Sequence, residues 1–177
     1  MRVIYSMMRI VALGMFMLLT FTVQAQDSLL VKKLAGRFAK ATFNADTKTV
    51  LDMSYPGLIK LSGGREAMTK LINDRIEALK ARGVISFNGW VNAPGPFYKA
   101  GTQLHCLVPE TVRMKVLNGM YLSHSYLLAI SSDRGKTWAF MDVGNMPKNV
   151  LLRLLPDFNA ALEIPAPTPP TFFPAQE

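Results

Sequence analysis

The sequence predicts an α+β domain in which helices cover one face of a curved antiparallel sheet. Three observations predict it. Apolar residues recur at helical spacing as far as about Ala81. From Val84 the period switches to strand-like alternation. The alternating runs are then separated by turn-forming clusters at Asn92–Pro96, Asn118-Gly119 and Ser131–Trp138, as in a meander.

A first helix is expected from Asp27 or Ser28, either of which can cap it, to about Asn44, with Leu30, Leu34, Phe38 and Ala41 on one face. Asp46 reads as the cap of a short second helix carrying Val50, Leu51 and Met53, ended by Tyr55-Pro56-Gly57 because the residue before proline disfavours helix. Leu58–Leu61 has room only for a small strand. Gly63-Gly64 opens a third helix over Arg65–Ala81, with an apolar stripe of Met68, Leu71, Ile72, Ile76 and Leu79 and a stop at Arg82-Gly83. Strands are then expected at Val84–Val91, Tyr98–Leu117, Met120–Ser131 and Trp138–Val143, and Pro109 implies a bulge or an edge in the second. A short helix after Pro147 carries Val150, Leu151, Leu154 and Leu155. From Pro165 to Glu177 the chain is proline-rich and reads as an extended, mobile tail.

The first 25 residues read as an export signal: Arg2 and Arg9, an apolar run from Ile10 to Phe21, then small residues that place cleavage after Ala25. The expected location is periplasmic or secreted, with no membrane span after cleavage. The domain is then 26–164, and the chain left after cleavage retains 18 basic against 12 acidic residues. The basic residues are scattered, with Lys32-Lys33 the one adjacent pair, which argues against a nucleic-acid groove and implies at most a weak affinity for anionic lipid or polysaccharide. Cys106 is the only cysteine, so no internal disulfide forms, and its apolar neighbours make it a buried small hydrophobe rather than a nucleophile. His105 and His124 have no metal-ligand spacing, so no metal and no cofactor are expected.

Ser131–Trp138 reads SSDRGKTW, the S-x-D-x-G-x-T-W pattern of the Asp-box hairpin. Each residue has a local task. Ser131 and Asp133 accept turn N–H groups, Gly135 supplies a conformation that side chains disfavour, and Thr137 and Trp138 restart a strand. The same holds for Asn118-Gly119 as a two-residue turn. With that turn, Arg113 is expected opposite His124, and closing the next hairpin brings Tyr126 near Asp142. Arg113, His124, Tyr126 and Asp142 would then share a face with Leu122, Leu128, Ile130, Trp138 and Phe140, which is the composition of a ligand pocket. In it His124 could move a proton with Asp142 orienting it, Arg113 could hold an anion and Tyr126 could donate a hydrogen bond. The competing expectation is an ordinary Arg113–Asp142 pair, and a slip of one residue would flip every partner.

The order of these elements resembles the nuclear-transport-factor-2-like superfamily, also called cystatin-like or SnoaL-like, in particular its small exported bacterial members. It is carried by a helical pair, Tyr55-Pro56-Gly57-Leu58, Gly63-Gly64 opening a third helix, and a meander ending in the Ser131–Trp138 hairpin. The resemblance implies a cone-shaped sheet wrapped on helices, with a pocket inside. That superfamily holds isomerases, cyclases and dehydratases as well as non-enzymatic modules, so it transfers a fold and no catalytic residue. The first expectation is a small exported binding or interaction module, with a small apolar ligand or a second copy as partner. The second is an isomerase, cyclase or dehydratase acting on a small apolar substrate in the cone. The third is carbohydrate binding through the Asp133 hairpin.

Overall fold

The computed structural model describes residues 27–175, so the signal read at 1–25 lies outside the described residues. The fold is α+β, with helices first, a strongly curled antiparallel sheet, and a short helix near the end. Helix α1 covers residues 27–43. Helix α2 is Thr47–Met53, capped by the Asp46 carboxylate accepting from the Thr49 N–H.

Leu58–Leu61 is not a strand. Pro56–Leu61 forms a helix, α3, with Pro56 at its first turn, where a missing N–H costs nothing. Gly63 and Gly64 both have positive φ and close this helix on the carbonyls of Lys60 and Ile59. Four adjacent residues, three of them apolar, carry too little periodicity to separate the two states. Helix α4 is Arg65–Ala81, as its stripe predicts, but that stripe is only half-buried and Leu71 stays exposed.

The strands are β1 Ser86–Val91, β2 Phe97–Ala100, β3 Gln103–Val116, β4 Gly119–Ser131 and β5 Ala139–Asp142, followed by α5 Lys148–Leu154 and β6 Thr171–Pro174. The spine of the sheet runs β1-β3-β4-β5, with β2 also on β3 and β6 also on β4. The single strand expected from Tyr98 to Leu117 is therefore two, folded back at Gly101-Thr102, where Gly101 takes positive φ. Pro109 makes no bulge, because β3 pairs with β4 without interruption from Leu104–Ser131 to Val116–Gly119. On its other side, Pro109 faces the β1–β2 connection and accepts a hydrogen bond from Asn92, so its missing N–H falls in a gap between two short partners.

The proline-rich segment returns to the sheet, and Thr171–Pro174 pairs with Gly119–Leu122. Sheet curvature divides the core in two. On the inner face α1 sets Val31, Ala35 and Phe38 against Cys106, Val108, Leu127, Ala129 and Phe140. The small residues Ala35, Ala39 and Ala41 let the helix approach closely, and Phe38 stacks on Phe140 at 5.6 Å between ring centroids. The apolar face of α1 is thus centred on Val31, Ala35 and Phe38, and Leu30 lies at its exposed margin. On the outer face α5 and the following segment cover Leu128, Ile130 and Met141.

Phe140 has no exposed surface. Replacing it with Ala should cost about 3–5 kcal/mol of unfolding free energy in urea titrations. Leu117→Ser, at a residue 91% exposed, should change the same measurement by less than about 0.5 kcal/mol.

Candidate functional site

Side-chain parity decides the site. In β3–β4 the observed partners are Val116 with Gly119, Arg113 with Leu122 and Thr111 with His124. The turn is therefore Leu117-Asn118, and the expected Asn118-Gly119 turn with Arg113 opposite His124 is corrected. Gly119 is instead the first strand residue, held free of a side chain by β6. A Cβ there would run into the backbone of Phe173 and Pro174, and its φ of 155° lies where side chains are disfavoured.

In β4–β5 the partners are Leu127 with Asp142 and Ala129 with Phe140. This differs by one residue from the pairing that sets Tyr126 beside Asp142, and one residue reverses the face. The single expected cluster is consequently split by the sheet. Arg113, His124 and Tyr126 lie on the outer face with Leu122, Leu128 and Ile130, whereas Asp142, Phe140 and Trp138 lie on the inner one. No Arg113–Asp142 ion pair forms. His124 is exposed, with Nδ1 3.4 Å from the Thr111 hydroxyl. The Arg113 guanidinium stands 5.0 Å over the Trp90 ring.

The inner face holds a polar group the sequence reading did not single out. Glu110 is 6% exposed and pairs across the ladder with Ser125. Ser125 Oγ donates to Asp142 Oδ1 at 2.8 Å, and the Gly144 N–H donates to the same oxygen at 2.9 Å. Three neighbouring strands therefore line up Glu110, Ser125 and Asp142. Burial, reinforced by the Asp142 charge, pushes the Glu110 carboxyl up to about 7. Its signal in the sequence is a lone carboxylate after Pro109 in the apolar run Leu104–Val112.

The Ser131–Trp138 hairpin is held by bonds internal to it. Ser131 Oγ donates to Asp133 Oδ1 and accepts from the Gly135 N–H, both at 2.8 Å. Asp133 also accepts from the Thr137 N–H and hydroxyl, at 2.8 and 2.7 Å. Trp138 Nε1 donates to the Gly135 carbonyl at 3.0 Å. These donors, the Thr137 N–H foremost, hold the Asp133 carboxyl down at about 2.

Cys106, His105 and Asp52 each have local partners. Cys106 is fully buried, donates to the Gly95 carbonyl, and has its thiol pushed up to about 12 by burial. Buried His105 shares Nε2 with Gln103 at 3.0 Å, and desolvation lowers its pKa. Asp52 pairs with Lys48 and Arg65 at 2.8 and 2.6 Å on the surface. Among the described residues no group of three or more His, Cys, Asp or Glu side chains is placed to hold a metal.

The described residues form several open clefts, three of which lie near the sheet and its covering helices. One lies on the outer face, between Asn88, Arg113, Lys115 and Phe173. One, of about 630 Å³, lies between α1 and β1. One, of about 720 Å³ and mostly apolar, lies between α5 and residues 158–167. Asp142, His124, Tyr126 and Glu110 line none of them.

Glu110 and Asp133 should give opposite pH signatures. Folded Glu110 keeps its proton to about pH 7, whereas an unfolded glutamate loses it near 4.5. Its effect on stability is therefore most favourable below 4.5 and declines, on the order of 3 kcal/mol, as pH rises to 7. Folded Asp133 stays ionised to about pH 2 against an ordinary 3.8, so its contribution is complete above 3.8 and lost as pH falls towards 2. Urea titrations across pH should show Glu110→Gln more stable than the parent at pH 8. Asp133→Asn should be less stable at pH 7 and less sensitive to acid.

No family model matches this chain, and searches of curated proteins and of solved structures found no match. The α+β architecture with a curled antiparallel half-barrel, compatible with a nuclear-transport-factor-2-like cone, is read from the structure alone.

Proposed function

We propose that the chain is an exported, non-enzymatic interaction module of the nuclear-transport-factor-2-like superfamily, and that it pairs with a second copy through the outer face of its sheet. One observation carries this reading. Beneath α1 the inner face is filled by its own side chains, whereas the outer face beyond α5 has no cover. Phe38, Phe140, Trp138, Leu127 and Cys106 are all at most 8% exposed. Trp90 and Phe173 on the outer face are 43% and 42% exposed, next to half-buried Met120 and Leu122. A mixed apolar patch of this kind on a sheet face is a recurrent surface for isologous pairing.

The export signal, Arg2 to Ala25, supports a periplasmic or secreted location. The Asp-box hairpin adds little support for glycan binding, since both Asp133 oxygens are already engaged within the turn.

A second reading is favoured by Glu110. A buried carboxyl that titrates near neutrality beside Asp142 has the chemistry of a general acid or base, as an isomerase, cyclase or dehydratase would need. That reading requires room for a substrate within the cone.

Sedimentation velocity should show a concentration-dependent dimer that strengthens with salt, because Arg113 and Lys115 bring like charge to the paired faces. Trp90→Ser and Phe173→Ser should weaken it, and a monomer at all concentrations would overturn the pairing. The enzyme reading predicts a small apolar molecule released from the purified protein on denaturation and detected by mass spectrometry. Pairing through the outer face requires none.

A further inference from the structure

The borders of the sheet are closed unequally. β5 is flanked by Ser54, and the Tyr55 N–H donates to the Phe140 carbonyl at 2.9 Å. The far end of β4 is covered by β6. β1 ends the strand order, and no described strand pairs with its outer side.

An unpaired strand presents backbone N–H and C=O groups to any extended chain, and proteins ordinarily blunt such a border with charge or proline on the strand itself. β1, SFNGWV, has neither. The charge stands opposite, on α1. The cleft between the two elements is lined by Lys32, Lys33 and Lys40 together with Phe43 and β1 residues Asn88–Val91. No acidic side chain lines it, and none of the three lysines joins an ion pair among the described residues. Gly36 and Ala39 also line it, so bulk is missing between the lysines.

We infer that this cleft takes an extended acidic peptide of a partner protein, added as a further strand along β1. A strand placed about 4.8 Å from β1 sends alternate side chains towards α1. Carboxylates at those positions meet the three lysines, and small residues fit over Gly36. Backbone bonds to β1 supply affinity, and charge selects the peptide. A second copy is a poor occupant, since β1 against β1 gathers six lysines around one seam. A sulfated polysaccharide would use the lysines and leave the strand edge idle. This inference goes beyond the outer-face dimer, uses a different border of the sheet, and stands for a monomer as well.

The test is fluorescence anisotropy with a labelled octapeptide of alternating Glu and Thr, a Lys/Thr control, and two Glu/Thr versions N-methylated on one or the other alternate set of amides. The acidic peptide should bind and weaken with added salt, opposite in sign to the dimer. The Lys/Thr control should not bind. One of the two N-methylated peptides should bind about tenfold or more weakly than the parent peptide. Lys33→Glu with Lys40→Glu should lower affinity by a similar factor while the melting temperature holds. Gly36→Leu, whose Cβ would lie 3.7 Å from Val91 Cγ2 in ordinary contact, fills the cleft without reversing charge and should also lower affinity. Equal binding of both methylated peptides and the parent would overturn strand addition. Complete displacement by heparin at equal charge concentration would assign the cleft to polyanions, and no binding at low salt would dismiss it.

Discussion

Among the described residues the longest ladder joins β3 to β4, from Leu104 opposite Ser131 to Val116 opposite Gly119. Every other strand is attached to one of these two, so their register assigns each side chain to one of two environments. Cys106, Val108, Leu127 and Ala129 go inward, where α1 meets them through Val31, Ala35 and Phe38. Leu107, Leu128 and Ile130 go outward, where α5 and the chain beyond it close over one end only. The covered inner face and the half-bare outer face are thus two consequences of one pairing. Burial on the inner face, with the Asp142 charge beside it, drives the single carboxyl of Glu110 from its ordinary state.

Much of the fold is legible because its signals are local. The α4 stripe, the Asp46 cap and the change of period after Gly83 each depend on neighbours a few residues away. The elements that escaped reading depend on distant partners or on weak local signals. Gly101-Thr102 turns the chain with a single glycine inside an otherwise alternating run, and β6 exists because the proline-rich segment finds an unpaired stretch of β4. Asn118-Gly119 fits a two-residue turn well, yet tertiary contact decides the matter. Gly119 serves the close approach of β6, and the turn moves back to Leu117-Asn118.

The site was legible in composition and not in arrangement. Arg113, His124, Tyr126 and Asp142 are polar residues of strands, as expected, but the sheet separates Asp142 from the other three. Pairing across the Ser131–Trp138 hairpin depends on how many residues the turn consumes, and alternation turns an error of one into a change of face. Glu110 was legible in principle, since a carboxylate in so apolar a run must be solvated, paired or protonated. It has the third fate in part, because its nearest charge is another carboxylate, and the Ser125 hydroxyl between them is already donated to Asp142.

Charge and hydrogen-bonding capacity are distributed on the same logic. Elsewhere backbone groups are taken up locally: Tyr55 bonds to the edge of β5, and β6 lies along the end of β4. Where β1 is open, the strand stays neutral and the lysines stand on the neighbouring helix, across the cleft from the edge, where they reject a guest of like charge. Lysines on the strand itself would repel copies of the protein and also crowd the pairing line. Placed on α1, they discriminate between guests and leave the backbone edge accessible. The Gly36–Ala39 gap extends the same arrangement, since larger residues there would occupy the space between helix and edge. An edge protected only against aggregation would need no such room, and it is the room beside the charge that separates a selective border from a merely defended one.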